Sequence, residues 1–200
     1  MNRIFYIMGK SATGKDKLYR SLLADPDLDL APIVIYTTRP QRDGEVDGET
    51  YHFTDDAHLQ AYLQAGRVIE QRTYQTVAGP WHYFTLDDGQ AVSGGAGHLT
   101  IGTLESYLKM RDYYRTDSRM QIIPVYIEVE DGLRLERALH RERKESQPHY
   151  EEMCRRFLAD QEDFSEAKLR EAGIERRFGN NDTFGACLGE VTEFIRRSMQ

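Results

Sequence analysis

The sequence predicts an α/β protein in which helices wrap a core of parallel β-strands. Short apolar runs rich in β-branched and aromatic residues alternate with helical segments along most of the 200 residues. The first of these runs, residues 3–8, is typical of a buried central strand and leads directly into a glycine-bounded loop. Ligands of open α/β sheets bind at the carboxyl ends of the strands, so we expect the functional site there.

The loop after the first strand has the pattern Gly-x-x-x-x-Gly-Lys, and a helix is predicted over residues 17–24. Gly9 and Gly14 can adopt backbone angles that turn successive N–H groups inward around a phosphate. The positive end of the helix and the Lys15 ammonium would then face the β- and γ-phosphates of a nucleotide. Strand, loop and helix in this order predict a phosphate-binding P-loop; the alternative is a plain glycine turn. The predicted ATP-phosphate site comprises Gly9, Lys10, Ser11, Ala12, Thr13, Gly14, Lys15 and Asp16.

Asp16 differs from the usual motif, which has a serine or threonine hydroxyl for Mg²⁺ at this position. A carboxylate is also a hard oxygen ligand. We therefore predict Asp16 as a metal ligand, directly or through water, with Mg²⁺ as the cofactor that accompanies ATP.

Composition excludes several function classes. The chain has 26 basic and 33 acidic residues, a net charge of −7, which disfavours nucleic acid or an anionic membrane as the main partner. Cys154 and Cys187 are far apart and suggest neither a zinc site nor a disulfide framework. No apolar stretch approaches the roughly 20 residues that span a bilayer, and the first strand starts too early for a signal peptide. We expect a soluble, cytoplasmic protein.

The core is predicted to comprise residues 1–36 and 91–200, interrupted by a small, mostly β insertion at residues 37–90. A second core strand is predicted over residues 31–36. Predicted elements of the insertion are a loop at 37–48, strands at 50–53, 67–74 and 81–86, a helix at 57–65, and a turn at Gly79 and Pro80. Those of the carboxyl-terminal part are a glycine-rich connection at 91–97, strands at 98–101, 121–127 and 174–178, and helices at 104–114, 133–144, 150–171 and 184–197. Pro124 favours a strand end or an edge position.

Residues 37–53, TTRPQRDGEVDGETYHF, resemble the guanylate kinase signature of Thr-Thr-Arg, a second arginine, Gly-Glu-Val-x-Gly and a tyrosine. Two guanidinium groups can fork onto one phosphate dianion, and a tyrosyl hydroxyl can donate to it as well. The resemblance implies that Arg39, Arg42 and Tyr51 hold the monophosphate of an acceptor nucleotide, GMP, within the insertion.

Further similarities to this family extend over nearly the whole chain. Glu70 resembles the glutamate that accepts hydrogen bonds from guanine, and Tyr83 and Thr85 resemble a second phosphate-binding tyrosine and the hydroxyl residue after it. Asn180 resembles an asparagine near the adenine site. These four residues complete the GMP and ATP sites that the resemblance implies.

A basic segment over residues 133–144, LRLERALHRERK, resembles the family's helical lid, which would span about 133–150. The resemblance implies that Arg137, Arg141 and Arg156 close over the transferred phosphoryl group. The alternative is a solvated helix face with Glu–Arg pairs.

Other positions differ from the family pattern. Thr100 and Gly102 stand where the family has Asp-x-Asp, and Ile35 stands near a serine that contacts guanine. The Gly-Lys-Asp ending of the P-loop and the missing acidic pair also resemble bacterial ribose 1,5-bisphosphate phosphokinases. The stretch between residues 86 and 98 is too short for the helix that the family has there.

The sequence thus predicts a nucleoside monophosphate kinase that converts ATP and GMP to ADP and GDP. Catalytic roles are expected for Lys15, Arg39, Arg137, Arg141 and Arg156. One alternative is a kinase for another phosphorylated small molecule, such as ribose 1,5-bisphosphate. Another is a non-catalytic guanylate-kinase-like binding module. Such modules typically lose the P-loop lysine, whereas Lys15 is present.

Overall fold

A computed structural model describes residues 1–42, 44–76 and 79–200 of the chain. Its strands and helices in chain order are β1 (Asn2–Met8), α1 (Lys15–Leu23), β2 (Leu30–Pro32), β3 (Tyr36–Thr37), β4 (His52–Phe53), α2 (Asp56–Gln64), β5 (Val68–Thr76), β6 (Gly79–Leu86), β7 (Gly97–Gly102), α3 (Leu104–Tyr113), β8 (Met120–Glu128), α4 (Asp131–Glu142), α5 (Tyr150–Asp163), α6 (Glu166–Glu171), β9 (Arg177–Gly179) and α7 (Phe184–Met199). A short 3-10 helix at Gln90–Val92 precedes β7. The predicted α/β class is confirmed.

The core is a five-stranded sheet in the order β2-β7-β1-β8-β9, and every neighbouring pair is parallel. β1 lies at its centre, where Met8 pairs with Gly102 of β7 and with Tyr126 of β8. The carboxyl ends of these strands therefore meet at one edge, next to the loop that leaves β1.

Both faces of β1 are buried because helices cover the sheet on both sides. Phe5 and Ile7 pack with apolar residues of α1 and α7, whereas Ile4, Tyr6 and Met8 pack with those of α3 and α6. A strand buried on both faces has a continuous apolar sequence rather than an alternating one. This explains the run with which the chain begins.

A second sheet, in the order β4-β3-β6-β5, is built within residues 36–86. β3 and β4 pair in parallel, and the other two pairs are antiparallel. Helix α2 packs on it through Leu59, which is fully buried with Phe84 and Leu86. Apart from Tyr36, this sheet is formed by residues of the predicted insertion at 37–90. The boundaries of the insertion as a separate unit remain a prediction.

The single strand predicted over residues 31–36 is wrong. β2 belongs to the core sheet and β3 to the second sheet, and the chain crosses between them. The side chain of Gln90 accepts a hydrogen bond from the N–H of Val34 at 2.8 Å and donates one to its carbonyl at 3.2 Å. The side chain thus satisfies backbone groups that a strand partner would otherwise pair.

Two further predictions about the chain path need correction. Gly79 and Pro80 begin β6 instead of forming a turn, and the residues before them, 77 and 78, lie outside the described parts. The helix predicted over 150–171 is two helices, α5 and α6, separated at Phe164, whose buried ring stacks on Tyr126. The predicted loop at 37–48 includes residue 43, which also lies outside the described parts.

Pro124 lies in the middle of β8, opposite Tyr6 of β1, so the predicted strand end is wrong. β8 is internal to the sheet, but β9 pairs with it only from Tyr126 onward. The proline therefore lies at a level where one side of the strand has no strand partner, which a residue without an N–H tolerates. None of the helices in the described ranges has the length and apolar character needed to cross a bilayer.

Candidate functional site

The two motif glycines are required by close contacts. A Cβ atom on Gly9 would lie 2.5 Å from the carbonyl oxygen of Ile127 on β8. Gly14 has a φ of +86°, and a Cβ there would lie 2.8 Å from Nδ2 of Asn180. The loop between them therefore fits tightly against the ends of β8 and β9, and α1 begins at Lys15 directly after it.

Lys15 lies at the point where basic residues converge. Burial lowers the pKa of its ammonium group; the carboxylates of Asp16 and Asp160 oppose this effect, and the charges of Arg156 and Arg141 add to it. The nearest carboxylate oxygen of Asp16 is 4.0 Å from Nζ. Arg141 and Arg156 thus lie near enough to Lys15, at the amino-terminal end of α1, to act on its charge.

The P-loop is attached to α4 and α5 through Arg134. This residue is 1% exposed, and its Nε donates to the carbonyl oxygen of Ser11 at 3.0 Å. Its Nη1 donates to Asp131 at 2.7 Å and its Nη2 to Asp160 at 3.3 Å. Asp160 also accepts a hydrogen bond of 2.7 Å from the N–H of Ser11. Neither Arg134 nor Asp160 was predicted, because the sequence of a charged helix does not indicate which of its charged residues are buried.

Lys10 and Arg156 contact this region in different ways. Nζ of Lys10 donates to Oε1 of Gln161 on α5 at 2.6 Å and lies 3.7 Å from Asp131. Nη2 of Arg156 donates to Oγ of Ser11 at 3.3 Å. Lys10 therefore supports the loop through α5, and Arg156 reaches the loop itself.

Asn180 follows β9 and contacts the P-loop at Thr13. Its Nδ2 donates to the carbonyl oxygen of Thr13 at 2.8 Å. Its own carbonyl oxygen accepts a bond of 2.9 Å from Nη2 of Arg137. Oδ1 of Asn180 is buried and has no partner among the described residues. Arg137 is therefore grouped with Asn180, the predicted adenine-site residue, and not with Arg141 and Arg156.

A cavity of about 540 Å³ lies between the P-loop, the lid segment, α5 and the loop that carries Arg42. Its charged lining residues are Arg42, Arg134, Arg141, Glu142, Glu145, His149, Glu152 and Arg156. Arg42 of the insertion thus faces the same space as Arg141 and Arg156. Since Arg134 is already paired, three arginines remain to meet an anion in this cavity.

Arg39 lies in a separate, more enclosed position. It is 3% exposed, and its guanidinium donates to both oxygens of Glu45, at 2.7 and 3.0 Å. Hydrogen bonding to Glu45 raises the pKa of Arg39, and a bond to Tyr83 adds to the rise. The guanidinium also lies 5.3 Å from the ring centroid of Tyr51, which contacts the ring of Tyr83 edge-on.

Of the residues predicted to bind the acceptor phosphate, Arg39, Tyr51 and Tyr83 lie together, whereas the side chain of Arg42 lines the cavity. Glu45 was missed as a partner, although the quoted signature contains it. It also accepts a bond of 2.8 Å from the N–H of Arg42, so it connects the backbone of one arginine to the side chain of the other.

Glu70 and Thr85 pair across β5 and β6, and the Thr85 hydroxyl donates to Oε1 of Glu70 at 2.8 Å. The carboxylate is fully buried, and it also accepts two bonds from Arg72: Nε to Oε2 at 3.1 Å and Nη2 to Oε1 at 3.3 Å. Arg72 was missed, although residues two apart on a strand share a face and its position two residues after Glu70 could have indicated the pair.

The region of the missing Asp-x-Asp is filled by a tyrosine. The hydroxyl of Tyr6 donates to Oγ of Ser106 at 2.7 Å, and burial raises its pKa. A Cβ on Gly102 would lie 2.2 Å from that hydroxyl oxygen and 2.7 Å from Oγ of Ser106. Thr100 is buried at 1% exposure. There is no space at position 102 for a side chain while Tyr6 keeps this conformation.

Three comparisons with known proteins agree on one family. The family model for guanylate kinase matches residues 1–79. The chain is 31% identical over 93 residues to a guanylate kinase of Enterococcus faecalis, which covers 44% of this chain and 46% of the relative. It is 50% identical over 67 residues to one of Psychrobacter arcticus, covering 34% of this chain and 32% of the relative. The chain therefore aligns with half or less of the length of these relatives.

The fold extends further than the sequence similarity. A crystal structure of guanylate kinase from Anaplasma phagocytophilum superposes with a TM-score of 0.61, covering 100% of this chain and 87% of that chain at 17% identity. At this identity the likeness concerns the fold. The chain is thus similar to guanylate kinases in sequence over residues 1–79 and in fold over its whole length.

Proposed function

We propose that this protein is a nucleoside monophosphate kinase that transfers the γ-phosphoryl group of ATP to GMP. The observation that carries the proposal is the position of Lys15 on a P-loop, with Arg141 and Arg156 acting on the same charge. Phosphoryl transfer needs alignment and neutralisation of charge more than covalent chemistry by the protein. Three cationic groups at the end of a P-loop supply that neutralisation.

Each half of the reaction has its own group of residues. The P-loop, with Asn180 and Arg137 beside it, would hold ATP. Arg39, Tyr51 and Tyr83 would hold the phosphate of the acceptor, and Arg42 would face the transferred group across the cavity. No general base is required, because the acceptor phosphate is already anionic. Closure of the lid would exclude water from the phosphoryl group.

Mg²⁺ would be held mainly by the nucleotide phosphates, with Asp16 as a protein ligand. The Asp16 side chain is 77% exposed at the first turn of α1, so it can contribute oxygen to a hydrated ion. Among the described residues, no three His, Cys, Asp or Glu side chains are grouped so that they could hold a metal ion. The ion would neutralise charge on the phosphates.

A second candidate, a kinase for another phosphorylated small molecule such as ribose 1,5-bisphosphate, is favoured by one observation. The carboxylate that would read guanine, Glu70, is already paired with Arg72. The third alternative, a non-catalytic binding module, has no observation in its favour, and Lys15 argues against it.

A steady-state assay with ATP and Mg²⁺ tests the proposal. The acceptors are GMP, dGMP, AMP, IMP and ribose 1,5-bisphosphate, and ADP formation is measured for each. We expect acceptor-dependent ADP formation with GMP, and a rate lower by at least about two orders of magnitude with the Lys15→Met variant. ADP formation with ribose 1,5-bisphosphate alone would establish the second candidate instead. The absence of transfer to every acceptor, by folded protein that binds ATP, would contradict the proposal.

A further inference from the structure

Arg72 donates hydrogen bonds to both carboxylate oxygens of Glu70, the oxygens that guanine recognition requires. Guanine offers two donors on one edge, N1–H and the 2-amino group, and needs both carboxylate oxygens. A carboxylate has about four acceptor positions. Arg72 and Thr85 use three of them: two on Oε1 and one on Oε2. One position on Oε2 remains, so guanine could bind both oxygens of Glu70 only by displacing Arg72 or the Thr85 hydroxyl from Oε1.

Displacing Arg72 is unfavourable because the pair is buried. The Glu70 side chain is 0% exposed and that of Arg72 is 11% exposed. Truncating or moving one partner of such a pair leaves a buried charge without compensation. The fork geometry, in which Nε and Nη2 meet different oxygens, also fixes the plane of the guanidinium.

Arg72 also lies on the face that an acceptor would contact. It is directly opposite Tyr83 in the β5–β6 register, and Glu70 is opposite Thr85. Its charge acts on Tyr6, beside Gly102, and on Tyr51, beside Arg39; at both hydroxyls it opposes the rise in pKa that burial causes. Arg72 therefore stands between the phosphate-binding group and the end of the pocket where a base would be read.

One donor group of Arg72 remains for a ligand. Nε and Nη2 are used by Glu70, and within the described ranges Nη1 donates to no protein acceptor. An arginine has only donors and cannot be deprotonated in a protein. The pocket end therefore presents a donor and a positive charge, where a free glutamate would present acceptors and a negative charge.

We propose that Arg72 determines acceptor specificity by replacing guanine as the partner of Glu70. This inference rests on the proposed function, since it concerns the acceptor of the same transfer. The preferred acceptor is a phosphate monoester whose far end carries hydrogen-bond acceptors or negative charge. Two sources have this chemistry: a base with a carbonyl oxygen in place of the 2-amino group, and a sugar with a second phosphate.

A matched series of acceptors tests the first source. GMP, IMP and xanthosine 5′-monophosphate share the ribose, the phosphate and the N1–H, and carry an amino group, a hydrogen and a carbonyl oxygen at position 2. We expect the unmodified protein to use xanthosine 5′-monophosphate at least as well as GMP, by kcat/KM. Ribose 1,5-bisphosphate, assayed in parallel, tests the second source.

The Arg72→Met variant removes the guanidinium and keeps an apolar side chain. We expect the kcat/KM ratio of xanthosine 5′-monophosphate, or of ribose 1,5-bisphosphate, to GMP to fall by about tenfold or more, because Glu70 becomes free for guanine. The control is Arg119→Met: Arg119 is also forked onto an acid two residues away, Asp117, at 2.9 and 2.8 Å, but it is exposed. The control should leave the ratio unchanged.

A second variant keeps the test decisive if the unpaired Glu70 prevents folding. The Glu70→Gln, Arg72→Met double variant carries no buried charge at this place. It should therefore prefer neither GMP nor the acceptors compared with it, xanthosine 5′-monophosphate and ribose 1,5-bisphosphate. A wild-type preference for GMP of more than about tenfold, unaltered by Arg72→Met in folded protein, would overturn the inference and leave the kinase proposal standing. Absence of transfer to every acceptor would instead contradict the kinase proposal.

Discussion

Asp160 accepts a hydrogen bond from the backbone N–H of Ser11, with 2.7 Å between nitrogen and Oδ2. Asp160 is on α5, one turn after Arg156, and Ser11 is in the P-loop. The helix that carries Arg156, which we predict to face the phosphates, is therefore bonded directly to the loop that would hold the nucleotide. Arg134 strengthens this connection, because it donates to Ser11 and to Asp160. We infer that the P-loop and α5 keep their relative position as one unit.

The first prediction concerns Arg134→Met. The change should lower the free energy of unfolding by about 3–5 kcal/mol, because it leaves the largely buried Asp160 without its cationic partner. The KM for ATP should rise as the loop loses an anchor. Urea unfolding and ATP titration measure the two effects. In the Arg134→Met, Asp160→Asn double variant, much of the stability should return. A loss below about 1 kcal/mol in the single variant would show that the network contributes no more than an exposed pair does.

A second prediction concerns Lys15→Met. The substitution should lower kcat by at least about two orders of magnitude, since it removes one positioned charge from a desolvated site. The fold should remain intact, and thermal unfolding and circular dichroism check this. Lys17→Met is the control: Lys17 lies on the same helix but contacts the ring of Phe184, 4.1 Å from the centroid. A near-normal rate in folded Lys15→Met protein would remove the P-loop assignment.

The pH dependence of ATP use should reflect the lowered pKa of Lys15. Burial lowers this pKa from the usual 10.5, so in the free protein the ammonium loses its proton at a lower pH than an ordinary lysine does. The kcat/KM for ATP should therefore decline with rising pH at a midpoint below 10.5. The free energy of unfolding has the opposite trend. At pH values between the lowered pKa of Lys15 in the folded protein and its pKa in the unfolded chain, the unfolded chain binds more protons. The contribution of Lys15 to the free energy of unfolding therefore rises with pH in this range.

Lys15→Arg distinguishes this cause from others, because arginine keeps its charge over the whole range. If the variant retains measurable activity, its alkaline decline should disappear. A decline of the same midpoint in both proteins would assign it to another group.

Much of the fold could be predicted from the sequence because local patterns and tertiary context agree there. The first strand is apolar on both faces, Gly9 and Gly14 of the P-loop have close neighbours, and α1 follows at once. The prediction from local sequence preferences failed where a side chain, and not a neighbouring strand, forms the hydrogen bonds of the backbone. The predicted strand 31–36 breaks because Gln90, distant in the sequence, binds the backbone of Val34.

The candidate site was predictable only as far as single residues match a motif. Arg39 and Glu70 are both found in polar, buried positions, but neither is free: Glu45 and Arg72 pair with them. A motif specifies which residue types are present and gives no information on which of their hydrogen bonds are already formed. Arg137 illustrates the same limit, since its place on the predicted lid did not indicate that it donates to Asn180.

A fourth prediction separates the two arginines of the acceptor site. Arg39→Ala and Arg42→Ala should both raise the KM for the acceptor far more than that for ATP. Only Arg39→Ala should also destabilise the fold, by about 3–5 kcal/mol, because Arg39 is buried against Glu45 whereas Arg42 is exposed. Acceptor and ATP titrations with urea unfolding measure these effects. Selective weakening of ATP binding by either change would show that the acceptor site is misplaced.

The last prediction concerns Gly102, where the family pattern has an acidic residue. Gly102→Ala should destabilise the protein by about 1–3 kcal/mol, since the added methyl group overpacks a filled site. Its Cβ would lie 2.2 Å from the Tyr6 hydroxyl and 3.0 Å from Tyr6 Cζ. In the Tyr6→Phe background the closest of these contacts is removed, so Gly102→Ala should cost less there. The control is Gly189→Ala on α7, which has no neighbour within 4 Å and should be neutral or stabilising. Unfolding free energies of the four proteins of the Tyr6–Gly102 cycle give the coupling. If Gly102→Ala costs the same in both backgrounds, Tyr6 is not what excludes a side chain from this position.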